Sequence, residues 1–140
     1  MTAAAMLGPV FVHVVLVFAV LVATGRGRVA AVRAGEVKLT DVAIDSSRWP
    51  ERLRKLANNY QSQFELPVLF YGLVALIIAT GLADRVFLIL AWAFVASRLA
   101  HSVIHLGSNW PPHRLVAFAS GFAMLAAMWL WFAWRLYVTG

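Results

Sequence analysis

Four long apolar runs organise this chain. The first, Met6 to Thr24, is interrupted only by Gly8, Pro9 and His13; the second runs Leu66 to Leu82. A third begins at Val86 and stays apolar until Ser97 and Arg98, and a fourth leads from Pro111 and Pro112 to Tyr137. A membrane-spanning helix needs about 20 apolar residues, so each run is of span length or close to it. The pattern predicts helices over about 6–25, 50–80, 85–106 and 111–138, a loop over about 26–49, and a single domain over 1–140. Pro50 suits a first helical turn, and Pro111 or Pro112 can start the last helix. Pro67 has no amide to offer carbonyl 63, which predicts a kink or local opening beside Glu65 inside the second helix. The fold class is all-α, a four-helix transmembrane bundle.

The first run is expected to be a retained transmembrane helix and not a signal peptide, because its basic cluster, Arg26, Arg28 and Arg33, follows the apolar segment instead of preceding it. Composition agrees with a membrane protein. Hydrophobic residues make up 62% of the 140 and charged residues only 13%, whereas a soluble domain is nearer half and a quarter. With no cysteine, disulfides, thiolate metal sites and a cysteine nucleophile are excluded. Net charge is +6, and eight of the twelve Lys and Arg fall between Arg26 and Lys55. Beside such apolar flanks that cluster reads as a topology signal and not as a nucleic-acid patch. The turn between the third and fourth helices is also flanked by bases, Arg98 and Arg114, while Gly81 to Arg85 is neutral. The first and third loops are therefore expected in the cytoplasm, with both termini opposite. Trp129, Trp131, Trp134 and Tyr137 form the aromatic belt expected at an interface.

That topology brings the polar half of helix two, the end of helix three and the start of helix four to one face. Arg54, Asn58, Gln61 and Glu65 lie at i, i+4, i+7 and i+11, one face of one helix. Arg98, His101 and His105 stand at i, i+3 and i+7, and Arg114 opens helix four. Guanidinium groups pair with carboxylates through two parallel bonds, so this set suits an anionic ligand bearing carboxylates. The lone acid, Glu65, suits an ammonium on that ligand or a cationic partner such as Arg98 or a neighbouring subunit's arginine. The surrounding bilayer suits an apolar second substrate. The plainer reading is that these residues snorkel to the interface and tie helices together. His101 and His105 have metal-gripping spacing, but no Glu-flanked zinc motif accompanies them, and no metal is expected. Haem between His13 and either of them is disfavoured, because the topology places His13 near the opposite face. His13 is expected to hydrogen-bond a neighbouring helix. Ser62, Ser102 and Ser108 form no nucleophile–base–acid set. On helix four, Ala117, Ser120, Gly121, Ala123, Ala126 and Ala127 mark close packing or an oligomer contact.

Two local motifs carry a resemblance. One is Asn58-Asn59-Tyr60-Gln61-Ser62-Gln63-Phe64-Glu65-Leu66-Pro67-Val68-Leu69-Phe70-Tyr71. The other is Ser97-Arg98-Leu99-Ala100-His101, followed by His105-Leu106-Gly107-Ser108-Asn109 and Arg114. With the long basic first loop and four helices, the chain resembles the MAPEG family, membrane-associated proteins of eicosanoid and glutathione metabolism, in its small bacterial branch. The resemblance implies a homotrimer in a bacterial inner membrane. It also implies glutathione as co-substrate between subunits near the cytoplasmic face, with transferase or peroxidase chemistry on a small lipophilic electrophile. In catalytic members an arginine stabilises the glutathione thiolate; by position this is Arg114. Arg54, Asn58 and Glu65 resemble the family's helix-two residues and Arg98 its helix-three arginine, while His101 and His105 stand where the family has tyrosines. Catalytic members carry Arg-x-x-x-Asn-x-x-Glu-x-x-Pro; here Gln61 follows Asn58 at the third position, and the acid comes at Glu65. The alternative is a non-catalytic membrane protein that binds another anionic or lipid ligand, or a structural subunit.

Overall fold

The computed structural model describes residues 1–138 and is all-helical, with no strand among them. Its elements are α1 (Ala3–Arg33), α2 (Leu39–Ile44), a single 3-10 turn (Ser46–Arg48), α3 (Glu51–Ser62), α4 (Leu66–Ala79), α5 (Arg85–Leu106) and α6 (Pro111–Tyr137). Four segments are long and apolar enough to cross a membrane: α1, α3 with α4, α5, and α6.

α1 runs eight residues past its expected end at 25. Gly25 and Gly27, read as loop residues, lie inside the helix. Gly27 sits where α1 and α3 cross: a Cβ there would come 2.5 Å from Leu53 Cδ2. The stop signal is Gly35, at φ +72°, in the left-handed region that glycine enters freely. Its amide donates to the Val32 carbonyl (3.1 Å) and the Glu36 amide to the Ala31 carbonyl (3.0 Å), the paired bonds of a Schellman cap.

The second span opens beside Glu65, as Pro67 predicts, and divides into two helices. α3 ends at Ser62 and α4 begins at Leu66 with Pro67 in its first turn. Between them the Gln63 and Phe64 amides fall back to Tyr60 and Gln61, three residues behind, at 3.1 and 3.0 Å. Pro67 explains the position: it removes the amide that carbonyl 63 would need.

The larger apolar cluster joins α1, α4, α5 and α6 through Met6, Phe70, Leu73, Ile77, Phe87, Phe94, Met128 and Phe132. A smaller cluster at the other end packs Ala31, Val42, Trp49 and Leu53. In a bilayer such packing gains little from leaving water, so close contact and interhelical hydrogen bonds must hold the helices. Asp84 supplies some of these. It caps α5 through the Phe87 amide (3.0 Å), accepts from Trp131 Nε1 (3.0 Å), and pairs with Arg135 of α6. Outward faces carry Phe11, Phe18, Ile89, Trp92, Phe122 and Leu130, as lipid contact requires.

The 34–50 connection is tied by charges. Arg52 pairs with Glu36 (2.7 Å), and Arg48 reaches Asp45 (3.5 Å) and Asp41 (4.0 Å). The Arg52 bond holds the Glu36 carboxyl below its ordinary pKa; bonds from Ser47 do the same for Asp45.

Candidate functional site

The predicted residues separate into three places. Arg54, Asn58 and Gln61 are exposed on α3, and Glu65 is exposed in the break that follows it. Arg98, His101 and His105 are buried between helices. Arg114, in the first turn of α6, is half-buried and lines the second of two depressions.

The first depression, about 330 Å³, is lined mostly by polar and charged residues. Its walls include Arg28, Ser46, Ser47, Arg54, Lys55, Asn58 and Asn109. Arg28 lies over the Trp49 ring, 5.1 Å from its centre, and its Nε is buried without a partner. Lys55 pairs with Glu51 at 3.0 Å, so three cations meet one acid. The helical extension of α1 past Gly25 is what carries Arg28 here. A loop reading of that segment hid Arg28, and only the glycine spacing could have hinted at it.

The second depression, about 600 Å³, is lined by His101, Pro111, Pro112, Arg114, Leu115 and Phe118 and is largely apolar. One hydrogen bond joins the two: Arg114 Nη1 donates to Asn109 Oδ1 at 2.9 Å. The Arg114 backbone carbonyl lies 3.3 Å from His101 Nδ1. Asn109 adopts φ +51°, a left-handed position asparagine tolerates, and this turns the chain from α5 into α6.

Beneath both lies a polar layer that the spacing argument missed by one residue. Asn59, Ser62 and Gln63, not Asn58 and Gln61, face inward. Arg98, fully buried, donates from Nη2 to the Ser62 carbonyl (3.1 Å), Ser62 Oγ (3.1 Å) and Gln63 Oε1 (3.4 Å). It thereby caps the C-terminal end of α3, where carbonyls lack amides and the helix dipole is negative. The expected Arg98–Glu65 pair is absent within the chain. Arg98 is drawn to the helix end, and Glu65 is exposed with no ion-pair partner among the described residues.

An arginine can only donate, and that fixes the rest of the layer. The oxygen of Gln63 faces Arg98, so His13 Nε2, 3.1 Å from the same oxygen, carries the proton. Nδ1 of His13 then accepts from the Tyr71 hydroxyl at 2.5 Å. The Gln63 amide nitrogen donates to Asn59 Oδ1 (2.9 Å) and Ser102 Oγ (3.0 Å), and Asn59 Nδ2 to the Ser102 carbonyl (3.2 Å). His13 bonds a neighbouring helix as expected, but at the depth of Gln63 rather than near the opposite face. Its place eleven residues before Thr24 sets it mid-span. Among the described residues no group of three or more His, Cys, Asp or Glu is arranged to hold a metal.

Four spans, a buried polar layer and two joined depressions at one end define an integral membrane helical bundle. The family model of the MAPEG family matches residues 6–134, and the chain belongs to that family. Searches of curated proteins and of solved structures find no match.

Proposed function

We propose that the chain is a MAPEG-type glutathione transferase or peroxidase. The polar groove would take glutathione and the apolar depression a lipophilic electrophile. The observation that carries this reading is the Arg114–Asn109 bond, which ties a guanidinium lining the apolar depression to an asparagine lining the cationic groove. The groove suits the tripeptide chemically. Its volume is at the small end of the ~300–1,000 Å³ of small-molecule sites. Arg28, with its buried, unpartnered Nε, and Arg54 suit two carboxylates, and the oxygens of Glu51 and Asn58 suit an ammonium. A cation beside a thiol favours the thiolate, which is the role the resemblance gives Arg114.

Asn58 borders the groove, while Gln61 and Glu65 stand on the exposed face beyond it. A homotrimer, as the resemblance implies, would close the site with a second copy over that face; His101 and His105 then support it from below. The basic first loop supports a bacterial inner-membrane protein with this end in the cytoplasm. A second reading, a non-catalytic protein binding another anion or lipid, is favoured by one observation: Glu65 does not border the groove.

Calorimetric titration of the detergent-purified protein with glutathione tests the first reading. Heat saturating at or below millimolar ligand is expected, and none would sink it. Arg114→Ala should lower turnover with a model electrophile about 100-fold, as expected for removing a preorganised charge-stabilising group, while the oligomer persists. If the intact protein neither binds glutathione nor turns over the electrophile, the second reading stands.

A further inference from the structure

The three arginines that end α1 do not share a task. Arg28 turns toward the groove, whereas Arg26 and Arg33 lie on another face of the helix and are exposed. Together with Gly25, Val29 and Ala30 they line a separate surface depression of about 460 Å³. Val29, half exposed, forms its floor, and at Gly25 nothing lies within 4 Å of where a Cβ would be.

Three features define what fits there. First is charge. The acids of the adjoining connection are already engaged: Glu36 with Arg52, Asp41 and Asp45 with Arg48, and Glu51 with Lys55. Among the described residues no acid neutralises Arg26 or Arg33. Second is depth. The apolar stretch Met6 to Thr24 rises about 28 Å at 1.5 Å per residue, close to the ~30 Å hydrocarbon core. Arg26 therefore emerges at the phosphate level, and Arg33 lies two turns further out. Third is direction. Helical side chains lean toward the N-terminus, so Arg33 leans back over Val29 and Ala30 toward the bilayer. The two guanidinium groups bracket an apolar floor that is continuous with the lipid-facing side of α1.

We propose that this depression is a binding site for the headgroup of an anionic phospholipid, with the phosphate between Arg26 and Arg33 and the acyl chains along α1. It is independent of the thiol groove, which uses Arg28 and the opposite side of the helix.

The test titrates protein in mild detergent with phosphatidylglycerol and with phosphatidylcholine of the same chains, counting bound lipid by native mass spectrometry. Preference for phosphatidylglycerol is expected to fall about fivefold for Arg26→Gln or Arg33→Gln and about 25-fold for both, from the usual contribution of a basic residue at a membrane surface. Arg48→Gln, which removes the same charge from the loop, should change it by less than about twofold. An unchanged preference in the double variant overturns the site. An equal loss in Arg48→Gln overturns it in favour of net charge. Displacement of the lipid by millimolar inorganic phosphate shows a soluble-anion site and overturns the lipid assignment. Should the double variant fail to fold, the two single variants decide by the same criteria.

Discussion

Gln63 sits at the centre of the polar layer because its two ends face opposite demands. Its oxygen meets two donors, Arg98 Nη2 and His13 Nε2, and its nitrogen meets two acceptors, Asn59 Oδ1 and Ser102 Oγ. Few other side chains of that length present both an acceptor and a donor. Gln63→Leu keeps the bulk but strands partners on both sides in a region where water cannot compensate. Each stranded group costs about 1–3 kcal/mol in a core, and alternative partners in a membrane reduce that figure. We expect a net loss of about 3 kcal/mol, measured by unfolding in mixed micelles. Gln63→Glu retains the acceptor side for Arg98 and His13 and should lose less. A change under about 0.5 kcal/mol for the leucine variant would show that the layer does not hold the break in place.

At the level of the elements, the apolar runs made all four spans legible, and Pro67 marked the break, because both signals are local. What stayed hidden depends on tertiary contact. Polar residues occupy two faces of α3, and periodicity alone does not say which one turns inward: the face of Asn58 and Gln61 is exposed, and burial falls on Asn59, Ser62 and Gln63. Gly27 was equally ambiguous, since glycine marks loops and close helix crossings alike. The structure makes it a crossing, with Leu53 packed into the small end cluster. Gly27→Leu should therefore push α1 from α3 and cost about 1–3 kcal/mol, the usual price of overpacking. Gly25→Ala meets no atom and should be neutral or stabilising by up to about 1 kcal/mol. Thermal unfolding of the two variants side by side distinguishes them, and equal effects would refute the crossing argument.

For the whole molecule, the decisive surface is the exposed stripe of Arg54, Asn58, Gln61 and Glu65. An acid facing lipid near membrane depth is costly, by roughly 2.5 kcal/mol or more on insertion scales unless it is paired or hydrated. Two environments could relieve that cost: water drawn in beside the break, or a cation from a second copy. They make opposite demands on Glu65→Leu. If water solvates the carboxylate, leucine removes a polar group from an apolar surface and leaves assembly unchanged or tighter. If a second copy covers the stripe, leucine leaves that copy's cation buried without a partner, at a cost of about 3–5 kcal/mol per broken pair. The homotrimer reading predicts the second outcome: chemical cross-linking in nanodiscs should show the oligomer fraction falling at least tenfold for Glu65→Leu and much less for Glu65→Asp, which keeps the charge. An oligomer that persists undiminished in the leucine variant would place Glu65 in water and remove it from the subunit interface.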